Sequence, residues 1–394
     1  MSRSTRVAPS VPADGALPYQ PALACVGYEY GLHSNSRTTL LAGNDSTSLA
    51  ALGSVQLEFA ELSRLLGEPA FERAADRAVD QLFQTMHSYY GLYPSRIRPS
   101  SASFAPAGHV GFGGDSDSFY EILLKRWLHS GGKRPRLLRM FRKATTVGLR
   151  RVLRHSHPRN MVFVGSLDAS YEWDEGRSEE DDDGFSPRSS MARSFEHLGC
   201  FLPGLLALGA RHSIDSGEET TAWTHARSLL STCTHLYEEH AANLGPERVV
   251  FNTDLASANT TGVLRDFLVT DPSWRGRPEY VESLYLMSRL DPDIGAREQY
   301  RRQGWAVFEA LRKHCRISWG YVAHVRNVVR EPIELVSELD SYFFAETLKY
   351  LFLLFSEPSK LDLTSHVLTT EGHVLPLPPL PSDAAKRAYR RVRR

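Results

Sequence analysis

The chain has 394 residues, long enough to bury a sizeable core. Hydrophobic residues make up 42% of it, a fraction typical of folded domains. Lysine plus arginine and aspartate plus glutamate each number 46, so the formal net charge is zero. Because no excess of positive charge is available to neutralise phosphates, the composition does not suggest nucleic-acid binding.

The four cysteines are too few and too widely spaced for a disulfide framework. Cys25, Cys200, Cys233 and Cys315 contain no CxxC pair and allow at most two bridges. Residues 1–24 lack the apolar stretch of a signal peptide. No run of about 18 apolar residues is present, so we expect no membrane-spanning anchor in this sequence. Either a cytosolic location or a missing N-terminus fits these observations.

The hydrophobic pattern predicts a succession of helices. Residues 1–43 are rich in Ser, Pro, Ala and Gly without a sustained period, so we expect them to be poorly ordered. Apolar residues then recur at helical spacing from Ser54 to Met86, and further helices are predicted at Ser118–His129, Arg136–His155, Ala192–Leu208, Ala222–Asn243, Pro278–Leu290, Glu298–His314 and Glu334–Ser356. One short strand pair is predicted near Gly320–Val329. The sequence therefore predicts one all-α domain over residues 44–378.

Two charged segments stand apart from this pattern. Residues 172–186 are strongly acidic, and their mutual repulsion favours an exposed insertion over a dedicated metal or partner site. Residues 379–394 are basic and could touch acidic surfaces, but a disordered tail is the simpler interpretation.

Acidic residues near predicted helix starts are the first candidates for chemistry. The string Gly113–Asp117 turns into a helix that continues with Phe119 and Tyr120. Plain N-capping would explain an aspartate here. Two aspartates beside two aromatic rings also suit a sugar-binding site.

A second acidic pair follows Pro278, which suits the first helical position. Glu279 would then lie in the first turn, where the helix dipole favours the ionised form that a general base needs. Glu282, three residues on, lies on the same face. A dipole-stabilising glutamate and a surface glutamate are the plainer interpretation.

The remaining candidates are scattered along the chain. Glu346 lies in a helix that is apolar nearly all round, so it is either a satisfied structural residue or a site carboxylate. Thr370 and Glu371 offer hard oxygen ligands of the kind Ca²⁺ prefers, although a plain turn would also use them. The Glu196–His197 pair and Glu247 complete the set, and a structural role is the simpler interpretation of the pair.

Taken together and in order, these segments resemble the family 47 glycoside hydrolases, the class I α-1,2-mannosidases. The strings that carry the resemblance are SVQLEFAELSRLLG (54–67), GLYPSRI (91–97), GGDSDSFYEILLKRW (113–127), HLGCFLPGLLALG (197–209), LGPE (244–247), RPEYVESLYLMSRL (277–290), FFAETLKYLFLLFSE (343–357) and TTEGHVLP (369–376). No single string is decisive, but eight in sequence are specific.

The resemblance implies an (α/α)₇ barrel with a Ca²⁺ ion at its base, which removes terminal α-1,2-linked mannose from high-mannose N-glycans with inversion. It implies catalytic positions at Asp117, Glu247 and Glu279, and a calcium ligand at Thr370. Sugar- or water-positioning roles fall to a larger set: Arg277, Glu282, Tyr342, Glu346, Glu371, Glu196 and His197.

The resemblance also implies a disulfide between Cys200 and Cys233, and therefore an oxidising compartment. The endoplasmic reticulum or Golgi, with glycoprotein processing or degradation as the setting, is the location it implies. Two sequons at Asn44 and Asn259 agree with that compartment. We expect a monomer whose partner is the glycan or glycoprotein.

Several departures bear on activity. Family members carry a Glu-Ser-Thr-Ile-Arg-like string upstream, and its Glu is the usual proton donor. No such string is found here. We therefore expect an incomplete N-terminal part and weak turnover. Ala51 stands where the family usually has Glu. Asp115 stands where many members have Arg or a small residue. In the calcium string Thr369, Gly372 and Val374 are replacements. A non-catalytic mannose-glycan-binding homologue, or a helical interaction protein that kept the scaffold, remain alternatives to a mannosidase.

Overall fold

The structure is a computed structural model that describes residues 46–85, 88, 90–98, 103–104, 108–168, 192–212, 216–240, 242–254, 265–317 and 322–379. The expectations for residues 1–43, for the acidic insertion and for the basic tail beyond residue 379 lie outside these residues. So do both sequon asparagines and Cys25.

Helices dominate the described part of the chain. They are α1 (Leu49–Ser54), α2 (Gln56–Leu66), α3 (Ala70–Thr85), α4 (Asp117–His129), α5 (Pro135–Lys143), α6 (Leu149–Val152), α7 (Leu202–Arg211), α8 (Ser216–Glu238), α9 (Glu279–Leu290), α10 (Ile294–Ala310) and α11 (Leu348–Phe355). A 3₁₀ segment, His197–Phe201, leads into α7, and wider π-helical turns join α5 to α6, extend α10 over Leu311–Cys315 and precede α11 at Phe343–Thr347.

Local sequence signals set several of these boundaries. The Ser48 side chain accepts a hydrogen bond from the Ala51 N–H and caps α1. Asp293 caps α10 in the same way through the N–H of Gly295, at 2.8 Å. Gly67, with φ of 67°, ends α2 in the left-handed conformation that glycine adopts without strain.

The helices form two layers. Helix α2 packs on α4, α4 contacts the 3₁₀ segment that leads into α7, and α9 packs between α7 and α11. A second row covers the first, with α3 on α2, α5 on α4, α8 on α7 and α10 on α9. The inner row buries its apolar side chains in one continuous core. This arrangement brings the N-terminal ends of α4 and α9 and the start of α11 to one site.

Short antiparallel strands connect the helices. They are β1 (Thr47–Ser48), β2 (Arg96–Arg98), β3 (Ser103–Phe104), β4 (His109–Val110), β5 (Leu153–His155), β6 (Val162–Val164), β7 (Leu167–Asp168), β8 (Ser194–Glu196), β9 (Arg248–Phe251), β10 (Phe267–Asp271), β11 (His324–Val325), β12 (Leu335–Val336), β13 (His366–Leu368) and β14 (Val374–Pro376). The sheets are β1-β2-β3, β8-β9-β10, β4-β7, β5-β6, β11-β12 and β13-β14.

The sequence predicted most helices but misplaced some ends, because short strands take over their termini. The helix predicted to reach His155 ends at Val152, since β5 pairs with β6. The helix predicted from Ala192 starts ten residues later, because β8 pairs with β9. The segment from Glu334 contributes β12 before any helix begins, and β12 is the partner of β11 from the predicted strand region.

Cys200 and Cys233 form a disulfide, as the resemblance implied. Their Cα atoms are 6.0 Å apart, and the bridge fastens the 3₁₀ segment before α7 to α8. Cys315 is a free, buried thiol. None of the helices in the described ranges is long and apolar enough to cross a bilayer.

Replacing both Cys200 and Cys233 by serine is expected to lower the free energy of unfolding by about 2–4 kcal/mol. The bridge closes a loop of 33 residues and so restricts the unfolded chain. Urea unfolding followed by circular dichroism, with and without dithiothreitol, measures the effect. The reductant should destabilise the wild type and leave the double variant unchanged; equal sensitivity of both proteins would contradict the prediction.

Candidate active site

The loop before α4 fixes Asp117 at the first helical position. The N–H of Asp117 donates to the carbonyl of Gly113 at 3.0 Å. Its carboxylate oxygen Oδ1 accepts the N–H of Ser118 at 2.8 Å. The neighbouring N–H of Gly114 donates to Glu196 Oε2 at 3.0 Å, and Arg248 holds the other oxygen of that carboxylate. Glu196 therefore anchors the turn that presents Asp117.

Asp117 is set up to hold a proton near neutral pH. Burial raises its pKa to about 7, and the negative charges of Glu279, Asp115 and Glu196 act in the same direction. A carboxyl group with such a pKa can donate a proton in the physiological range.

Glu279 begins α9, as the position of Pro278 predicted, and it contacts the imidazole of His197. The distance between His197 Nδ1 and Glu279 Oε2 is 2.9 Å. On the other side of the ring, Nε2 lies 2.7 Å from the hydroxyl of Tyr237. The backbone N–H of His197 also donates to the carbonyl of Glu247 at 3.0 Å, which ties the two segments together.

Arg277 forms one wall of the site. Its Nε donates to Glu247 Oε2 at 2.5 Å, and its guanidinium carbon lies 5.8 Å from the ring centre of Tyr342. The Tyr342 hydroxyl contacts Asp340 Oδ2 at 2.7 Å and the carbonyl of Arg275 at 2.9 Å. A charged fork beside an aromatic face suits the hydroxyls and the apolar ring face of a sugar.

A buried ionic network lies behind Glu279. Lys125 is 2% exposed and donates to Glu121 Oε2 at 2.5 Å and to Glu282 Oε1 at 3.4 Å. The Tyr350 hydroxyl donates to the same Glu282 oxygen at 3.1 Å. The orientation of Glu282 is therefore fixed by two donors from two neighbouring helices.

The hairpin between β13 and β14 brings Thr370 and Glu371 to α11. Gly372, with φ of 70°, leaves no room for a side chain, since a Cβ there would lie 2.9 Å from the carbonyl oxygen of Ala345 and 3.1 Å from Glu346 Cγ. The Lys349 ammonium donates to the carbonyl of Gly372 at 2.7 Å. The hairpin tip thus rests on the turn that carries Glu346.

Negative charge accumulates where these elements meet. Burial, together with the negative charges of Glu282, Glu371 and Glu279, raises the pKa of Glu346 to about 9. Glu58 adds an oxygen, Oε2, that is buried without a hydrogen-bond partner, and burial raises the pKa of this group too. Carboxyl groups whose ionised forms are disfavoured by burial and by one another fit a hard divalent cation such as Ca²⁺, which would supply the missing positive charge.

Within the described ranges, no three acidic, histidine or cysteine side chains converge at direct metal-binding distance. A calcium ion here would therefore take few direct protein ligands, with Thr370 as the expected one and water between the ion and the carboxylates. The donor chemistry of the pocket fits such an ion.

The structure places the predicted residues together. The negative charge of Glu279 raises the pKa of Asp117, and the charges of Glu282, Glu371 and Glu279 raise the pKa of Glu346. A second group of predicted residues connects to these through hydrogen bonds or a ring contact: Glu196, His197, Glu247, Arg277 and Tyr342. Thr370 belongs to the hairpin tip beside Glu346. Sequence reasoning missed Glu58, Glu121, Lys125 and Tyr237. The spacing of Glu121 and Lys125 by four residues was a signal, but it is equally typical of an exposed helix pair.

The sequence and the fold are both similar to those of known glycosidases. The sequence profile of glycosyl hydrolase family 47 matches residues 26–377. The chain is 33% identical to the mouse endoplasmic reticulum mannosyl-oligosaccharide 1,2-alpha-mannosidase over 378 residues, or 94% of this chain and 51% of that protein. It is 32% identical to the mannosyl-oligosaccharide 1,2-alpha-mannosidase MNS3 of Arabidopsis thaliana, across 88% of this chain and 55% of the relative. The chain thus spans about half the length of the curated relatives it matches.

Among solved structures, an alpha-1,2-mannosidase from Trichoderma reesei superposes with a TM-score of 0.72 at 23% identity, over 86% of this chain and 67% of that one. This likeness shows that the helices belong to an (α/α)₇ fold. The match to the family profile covers most of the sequence, and the chain therefore belongs to glycosyl hydrolase family 47.

Proposed function

We propose that this chain hydrolyses terminal α-1,2-linked mannose of high-mannose N-glycans with inversion at the anomeric carbon. The observation that carries the proposal is the pairing of Asp117, whose pKa is raised to about 7, with Glu279, which is held by His197 in the same acidic pocket. Two carboxyl groups with different surroundings are what an inverting glycosidase needs.

In the proposed reaction, Glu279 takes a proton from a water molecule while that water attacks the anomeric carbon. The glycosidic bond breaks, and protonated Asp117 supplies a proton to the departing oxygen. Arg277 and Tyr342 would hold the sugar through its hydroxyls and ring face. After one turnover Glu279 has gained a proton and Asp117 has lost one, so exchange with solvent restores both.

We also propose that the pocket binds Ca²⁺ through Thr370. Glu58, Glu346 and Glu371 would hold the waters around it. The ion would supply a positive charge that orients water and sugar hydroxyls. The proposal is supported by the unpaired Glu58 oxygen and by the raised pKa of Glu346 to about 9.

The setting proposed is the secretory pathway, with the endoplasmic reticulum or Golgi as its compartments. The Cys200–Cys233 disulfide supports an oxidising environment. The name of the mouse relative places that protein in the endoplasmic reticulum.

A second candidate function is binding of mannose-rich glycans without hydrolysis. It is favoured by Ala51, a buried residue at 5% exposure that stands where the family usually has a glutamate. An alanine can neither transfer a proton nor orient water, so a position that is usually acidic in the family offers no such chemistry in this chain.

Incubation of the chain with a Man₉ glycan tests both functions. Mass spectrometry follows mannose release, and calorimetry measures glycan binding. Proton NMR identifies which anomer of mannose is released first. Release of β-mannose supports inverting hydrolysis, and binding without release supports the second function. Absence of both would overturn the assignment of this pocket to mannose.

Removal of calcium is expected to abolish glycan binding and lower the melting temperature. At a calcium concentration of 100 Kd, bound ion stabilises the folded state by about 2.7 kcal/mol. Differential scanning calorimetry with calcium and with a chelator measures the difference. Thr370→Val, which keeps the shape and removes the hydroxyl, should reduce the calcium-dependent shift. The same shift in both proteins would contradict the role of Thr370.

A further inference from the structure

Both ring nitrogens of the buried His197 contact another side chain. Glu279 Oε2 lies 2.9 Å from Nδ1, and Tyr237 Oη lies 2.7 Å from Nε2. His197 is 2% exposed and Tyr237 is 3% exposed, so little water competes for these contacts. The three residues connect α8, the 3₁₀ segment and the first turn of α9.

Proton counting allows one arrangement for a neutral imidazole. A neutral ring has one N–H donor and one acceptor nitrogen. Burial raises the pKa of the Tyr237 phenol well above its ordinary value, so the phenol keeps a proton to donate. A carboxylate can only accept. Tyr237 therefore donates to Nε2, and Nδ1–H donates to Glu279.

The Tyr237 ring has little freedom to move away. Its centroid is 4.3 Å from that of Tyr280. On another side lies Gly245, where an added Cβ would come within 2.5 Å of Tyr237 Cε2. Gly245 belongs to the segment that carries Glu247, so the ring is held between two parts of the site.

We propose that Tyr237 is a positioning residue for Glu279, acting through His197 to keep its proton on Nδ1. The hydrogen bond from Nδ1–H then holds Oε2 and leaves Oε1 of Glu279 free to take a proton. The inference rests on the proposed function only where it treats Glu279 as the base. The position of the imidazole proton is a property of the folded chain and can be measured without turnover.

Tyr280 offers a matched control. It also carries a buried phenol, at 1% exposure, but its hydroxyl donates to Thr234 Oγ1 at 3.0 Å and not to the imidazole. Tyr280→Phe therefore removes a hydroxyl of the same kind from the same pair of adjacent rings without removing a contact to His197.

Long-range ¹H–¹⁵N correlation on the full chain labelled with ¹⁵N-histidine tests the proton position. The His197 signals are assigned by their loss in His197→Gln. In the wild type and in Tyr280→Phe we expect protonated Nδ1 and unprotonated Nε2. In Tyr237→Phe we expect mixed tautomers or a doubly protonated ring. A proton on Nε2 in the wild type, or an unchanged spectrum in Tyr237→Phe, would overturn the proposal.

Kinetics on the Man₉ glycan provide the second arm. Tyr237→Phe should lower kcat by about tenfold with little change in KM, short of the loss of about 10²–10⁴ expected when a general base is removed. Tyr280→Phe should leave both constants unchanged. Unchanged kcat in a folded Tyr237→Phe would refute the positioning role. If the wild type releases no mannose, the hydrolytic function fails, and the spectra alone decide the proton arrangement.

Discussion

Glu279→Gln is expected to lower the rate of mannose release by about 10²–10⁴ while the glycan still binds. Glutamine keeps the size of the side chain and an oxygen that can accept from His197 Nδ1, at 2.9 Å in the wild type. It cannot take a proton from water. The loss should therefore fall on kcat, and KM should change little.

Single-turnover assays with the Man₉ glycan measure this effect, and calorimetry on the same preparations measures binding. Glu298→Gln is a matched control, because Glu298 lies on the exposed face of α10 with its side chain 60% exposed. That variant should match the wild type. Equal rates for Glu279→Gln and the wild type would remove Glu279 from the role of base, and loss of glycan binding would make it a binding residue instead.

The pH profile provides an independent check on the acid. The pKa of Asp117 is raised to about 7 by burial, so its protonated fraction falls as the pH rises through that value. A reaction that needs this proton should therefore lose rate above pH 7.

Much of the site could be predicted from the sequence because helix starts are marked locally. The glycine turn before Asp117 and the proline before Glu279 each signalled where a helix begins, and both carboxylates lie in first turns. The strands were harder to predict, since β5 and β8 depend on partners that no local pattern announces. Apolar periodicity continues through them and predicts helix there.

The buried residues that contact the site residues and support them were missed for a related reason. Tyr237 lies in a helix and has the ordinary pattern of a core aromatic residue. Its hydroxyl contact to His197 depends on how α8 packs against the 3₁₀ segment. Similarly, Lys125 has the spacing of a surface pair with Glu121, and only the tertiary packing reveals that both are buried.

Lys125→Met is expected to lower the free energy of unfolding by about 3–5 kcal/mol near neutral pH. Lys125 is the cation that Glu121 and Glu282 share, and all three side chains are at most 9% exposed. Methionine fills a similar volume but leaves two carboxylates in an apolar interior. The loss therefore comes from two carboxyl groups that have lost their cation and must either stay charged or take up protons, rather than from a cavity.

The pH dependence of the free energy of unfolding distinguishes loss of the cation from poor packing of the methionine side chain. Burial already raises the pKa of Glu121 and Glu282, and Lys125 opposes that rise. Without Lys125 both carboxyls should hold protons in the folded state at pH values where the unfolded chain, with glutamate pKa values near 4.5, has released them. The free energy of unfolding of Lys125→Met then falls as the pH rises, so its difference from that of the wild type should widen above a pH of about 4.5.

Urea unfolding at several pH values measures this difference, with Lys133→Met as the control because Lys133 is exposed. Adding Glu121→Gln to Lys125→Met removes one of the two carboxyl groups left without a cation and should recover part of the loss. A pH-independent loss, or an equal loss in Lys133→Met, would mean that lysine packing and not charge pairing holds this part of the core. The ammonium of Lys125 also orients Glu282, which lies one helical turn from Glu279. If the double variant recovers stability but not glycan binding, Lys125 has two separate roles: it neutralises the interior, and it shapes the pocket.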